Sequence, residues 1–111
     1  MRDASGGSVD VAITTVWIAM RRFAADHPGA VTAWRTSLAE AIDSLYRNQP
    51  QARATMREWL KIPAAVAERA PLPDWTVDMK PQELAPYITI SKQVGTITTD
   101  PDVNALVWPG P

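Results

Sequence analysis

A chain of 111 residues is one domain or part of one, and its 11 basic and 12 acidic residues leave a formal net charge of −1. That balance argues against a nucleic-acid-binding face, which needs concentrated positive charge; the longest basic run is the pair Arg21-Arg22. The absence of cysteine excludes disulfides and thiolate metal sites, and leaves cytoplasm and periplasm equally open.

Residues 1–8 contain Ser5-Gly6-Gly7-Ser8 and read as a flexible leader. They lack the apolar stretch of a signal peptide. Residues 9–20 (VDVAITTVWIAM) are rich in β-branched and aromatic side chains, which favours a strand. Both alternating sets are largely apolar, so the strand is expected to be covered on both faces, as in a parallel or mixed α/β sheet. A helix is the competing reading, because a short apolar run does not settle its own period. The run is far too short to span a membrane, which takes roughly 20 apolar residues. No second stretch is a convincing strand. Trp75-Thr76-Val77 and Gly95-Thr96-Ile97-Thr98 offer only short extensions. The sequence therefore asks for a sheet that it does not encode, and a buried strand must pair its backbone groups with something.

The rest reads as helices punctuated by ten prolines. Residues 21–26 make a turn or two. Pro28 then opens a long helix over 28–48, since proline is favourable at a first helical position. Val31, Trp34, Leu38, Ile42 and Leu45 recur every three or four residues and form its apolar stripe. A further helix covers 50–61, with Ala52, Met56, Trp59 and Leu60 as its inner face. A short helix follows over 63–69. Pro71-Leu72-Pro73 is a stiff connector, and residues 75–80 are extended or irregular. The helix over 81–94 must start late or kink, because Pro86 is tolerated only in a first turn. Gly95 caps it. A last turn brings Val103, Leu106 and Trp108 onto the body.

Catalytic signals are missing. His27 is the only histidine and has no ligand or nucleophile at useful spacing, so it reads as a surface or capping residue. Asp74 and Asp78 are four apart but sit among solvent-type residues, so a solvated surface outweighs acid–base work. Gly6-Gly7 precedes a strand and cannot cradle phosphate at a helix start. Trp34 and Trp59 lie on apolar stripes, so core packing is their default reading. Trp17, on the strand, and Trp75, in an extended segment, are the two that could line a cleft. Thr14 and Thr15 place hydroxyls inside an apolar strand. Such groups need partners when buried, either neighbouring backbone or a ligand at the sheet edge.

Several segments then fall in a familiar order. Ile13-Thr14-Thr15-Val16-Trp17-Ile18-Ala19 leads to Phe23-Ala24-Ala25-Asp26-His27-Pro28. The long helix ends in Asn48-Gln49-Pro50-Gln51-Ala52. Leu60-Lys61-Ile62-Pro63 follows, and the chain closes with Thr96-Ile97-Thr98 and Asp102-Val103-Asn104-Ala105-Leu106-Val107-Trp108. This order resembles the C-terminal part of ABC-transporter substrate-binding proteins of the aliphatic sulfonate, nitrate and taurine group, related to NMT1/THI5-like proteins. The likeness covers about residues 10–109, and only about the last third of a family member.

The resemblance implies an α/β parent with the type II periplasmic-binding-protein fold. This chain would be a mostly α-helical partial lobe with one strand, residues 9–111 forming a C-terminal fragment of that lobe. It implies a non-enzymatic protein of the periplasm or cell envelope that needs no cofactor, binds a small organic anion and docks on a membrane permease. Thr14, Thr15 and Trp17 are the ligand-binding positions it suggests. The first lobe's strands, the second lobe and the signal peptide of the family have no counterpart here, which leaves most ligand contacts unaccounted for. The alternative is a stand-alone helical interaction module that dimerises by edge pairing through the orphan strand.

Overall fold

The computed structural model describes residues 13–110. Its contacts divide into two units, one formed by 29–78 and the other by the segments up to Pro28 and from Met79 onward.

The 29–78 unit is built on α2 (Pro28–Arg47), whose first residue is Pro28. Its twenty residues run about 30 Å. Val31, Leu38, Ile42 and Leu45 are half-buried along the stripe that their spacing predicts. Asp43 and Arg47 pair one turn apart at 2.6 Å on the exposed side, a contact that contributes only a few tenths of a kcal/mol. Asn48 interrupts the helix and starts the next. Its side-chain oxygen accepts from the Gln51 amide at 3.3 Å, and Pro50 sits in the first turn of α3 (Gln49–Leu60). That is ordinary N-terminal capping chemistry. Lys61 ends α3 in the left-handed region at φ 55°, and α4 (Ala64–Arg69) folds back against α3.

The buried residues of this unit are Ala52 on α3 and Ala67 on α4. Both are alanines, and small side chains let two helix axes come close. Residues 71–78 then run as a strap along α2. Tyr46 holds the strap at residues 73–75, and Arg35 holds it at Val77 and Asp78. The later helix residue, Tyr46, meets the earlier part of the strap and the earlier one, Arg35, the later part, so the strap runs antiparallel to the helix.

In the other unit α1 (Arg21–Asp26) is a short helix that His27 closes by donating its amide to the Phe23 carbonyl at 2.8 Å. A 3₁₀ turn over Pro81–Leu84 precedes α5 (Ala85–Gln93), which places Pro86 in the first turn of the α-helix, where its missing N–H costs nothing. The Lys80 amide donates to the Glu83 carboxylate at 2.6 Å. At the other end the Thr96 amide bonds the Ser91 carbonyl and the Gly95 amide bonds the Lys92 carbonyl. This is the Schellman pattern, with Gly95 at φ +77° supplying the left-handed residue. A methyl group there meets nothing within 4 Å, so backbone conformation alone decides the effect of substitution. Gly95→Ala is expected to lower stability by about 1 kcal/mol, read as a shift in the urea midpoint. Lys92 pairs with both oxygens of Asp100 at 2.9 Å. Asp102 caps α6 (Val103–Leu106), which packs on the 3₁₀ turn.

The expected strand is not formed. Residues 13–20 have no regular secondary structure, and no strand occurs among the described residues. The portion 9–12, like the 1–8 leader, lies outside the described residues. The physical reason is the one that made the segment an orphan. A strand exists only against a neighbour that takes its N–H and C=O groups. Neither 75–77 nor 95–98 became one, so among the described residues the backbone of 13–20 has no ladder to join.

Candidate functional site

The segment 13–20 is where sequence and structure diverge most. The expectation was burial on both faces. Instead Trp17 is 73 % exposed, Ile18 90 % and Met20 78 %, with Val16 also exposed. Thr14 and Thr15 are exposed as well. The three sequence-predicted ligand positions, Thr14, Thr15 and Trp17, are therefore together only because they are adjacent in the chain. Among the described residues no helix or strand includes them. Thr14 and Thr15, whose hydroxyls would need partners if buried, are exposed residues instead.

Exposed apolar side chains recur elsewhere. Trp34 stands 44 % exposed on the α2 stripe, and Trp59, seven residues beyond the buried Ala52, is 80 % exposed. Core packing was the expectation for both tryptophans, and neither is in a core. A helical stripe predicts which side chains share a face, and only a covering element buries them. Among the described residues Ala52 and Ala67 are the buried hydrophobics, and no large side chain is fully buried. Folded single domains normally place Ile, Leu, Val and Phe inside. The described chain thus carries much of its apolar surface uncovered.

The concavity that sequence reasoning missed lies at the α2–α3 elbow. It is an open cleft of about 410 Å³ lined by Ala41, Ser44, Leu45, Asn48, Gln51 and Thr55. The helix break at Asn48 creates it, and the recurrence of Ser44, Asn48, Gln51 and Thr55 at three- and four-residue steps was its sequence signal. Its polar groups are uncharged hydroxyls and amides. The Asn48 carbonyl oxygen is already used by the Gln51 amide. Such a wall can donate and accept hydrogen bonds but supplies no acid, base or nucleophile activated by a partner. None of Thr14, Thr15 and Trp17 lines it.

The titratable groups singled out in sequence are in structural use. His27 is exposed, closes α1 and stacks obliquely on Phe23 at a ring-centroid distance of 5.0 Å. Asp78 pairs with Arg35 at 3.2 Å, and Asp74 lies 3.3 Å from the Tyr46 hydroxyl. Among the described residues no three His, Asp or Glu side chains converge as a metal site would require. No described helix is long and apolar enough to cross a membrane. No protein-family profile, curated protein or solved structure matches this chain.

Proposed function

We propose that this chain is part of the solute-binding component of an ABC importer for a small organic anion, such as an aliphatic sulfonate or taurine, or for nitrate. In this reading it forms the helical side of a lobe in a type II periplasmic-binding-protein fold. The segment 13–20 takes its place in a sheet supplied by other parts of the same larger protein, which works in the periplasm or cell envelope beside its permease. The observation that carries the reading is the exposure of Val16, Trp17, Ile18 and Met20 in a β-favouring segment, with no strand among the described residues. Covering those four side chains would contribute on the order of 5 kcal/mol, comparable to the whole stability of a small domain. The ordered resemblance of the segments from Ile13 to Trp108 names the family. The comparisons with known proteins add nothing to it. Thr14, Thr15 and Trp17 remain the residues proposed to face the ligand, since a strand formed here would place them beside the cleft between lobes.

The test is calorimetric. A protein carrying this chain together with the coding sequence upstream of it is titrated with an alkanesulfonate, taurine and nitrate. Saturable binding of one of them supports the proposal. Flat titrations with all three, or an upstream region without a continuous reading frame, overturn it. The chain by itself is expected to bind none of them measurably.

The same exposed segment supports a second reading, a stand-alone helical module whose copies pair through 13–20 as through an unprotected edge. Light scattering on the chain alone separates the two. Under this reading the chain is a dimer, and Ile18→Lys converts it to a monomer; because Ile18 is almost wholly solvated in the single chain, any fall in the unfolding midpoint reflects the lost association and disappears at low protein concentration. A monomer at high concentration before any substitution removes the second reading.

A further inference from the structure

We draw no further inference here: the strongest candidate, the exposed apolar pair Trp59 and Leu60 at the carboxyl end of α3 next to Arg57 and Lys61, carries nothing because nothing in the structure shows what covers it.

Discussion

Replacing Arg53 with methionine is expected to lower the unfolding free energy of the chain by about 2 kcal/mol, measured as a fall in the urea midpoint at unchanged slope. One terminal nitrogen of Arg53 donates to the Ala67 carbonyl at 2.7 Å and to the Ala70 carbonyl at 2.6 Å. These oxygens belong to the end of α4, where a helix has acceptors but no further amides to fill them. A cation at that end also meets the negative pole of the helix. A six-residue helix cannot hold itself together in water, so α4 depends on what α3 gives it. Methionine keeps much of the apolar stem that Arg53 lays along the contact and removes only the charge and the donors. Hydrogen bonds from a charged group contribute about 1.5–3 kcal/mol each when fully made and desolvated. The site is part-buried, so water can replace some of that, and the expected loss is below the sum of two full bonds. Arg53→Lys should recover part of the loss, since an ammonium keeps the charge and several donors on one nitrogen but on a shorter stem. An unchanged midpoint in Arg53→Met would mean that water satisfies both carbonyls equally well, and that α4 is held by the Ala52 and Ala67 packing alone.

The second large effect is expected at Tyr46. Its hydroxyl accepts the Trp75 amide at 2.7 Å, and its single proton is shared between the Pro73 carbonyl at 3.1 Å and the Asp74 carboxylate at 3.3 Å. Its ring meets the Trp75 ring at a centroid distance of 5.6 Å with a tilt of 51°, a favourable aromatic arrangement. Tyr46→Phe keeps the ring contact and loses the hydroxyl, for an expected cost of about 1 kcal/mol. Tyr46→Ala loses both and should cost about 2 kcal/mol, the ring being only partly covered. The decisive reading is local. In Tyr46→Phe the Trp75 amide has lost its acceptor, and its hydrogen exchange should accelerate relative to amides in the middle of α2. Equal protection of that amide in the wild type and the variant would show that the strap does not depend on Tyr46. Arg35 holds the same strap at Val77 and Asp78. Its contacts lie only two or three residues from Trp75, so removing both anchors is expected to give a coupled rather than an additive loss.

Both variants concern a unit whose helices were plain in the sequence. The spacing of Val31, Leu38, Ile42 and Leu45 marked α2, Pro28 marked its start, and Asn48 before Pro50 marked the break into α3. Pro86 announced that α5 starts late, and Gly95 announced its end. These signals are local. A proline ring, a capping side chain or a glycine at positive φ acts on the few residues beside it, so the chain alone carries the information. Arg53 and Tyr46 gave no such signal. Each works on backbone more than a dozen residues away, and no local pattern says which arginine will meet which carbonyl.

Local chemistry therefore determined from sequence that the chain after residue 20 is a series of proline-punctuated helices. It also determined that residues 9–20 have the composition of a strand. Tertiary structure alone decided that residues 13–20 do not form one, because a strand is a relation between two backbones and a single segment cannot supply its own partner. It decided equally that Trp34 is only partly covered and Trp59 largely exposed, since periodicity aligns side chains on a face while burial requires a second surface to close over it.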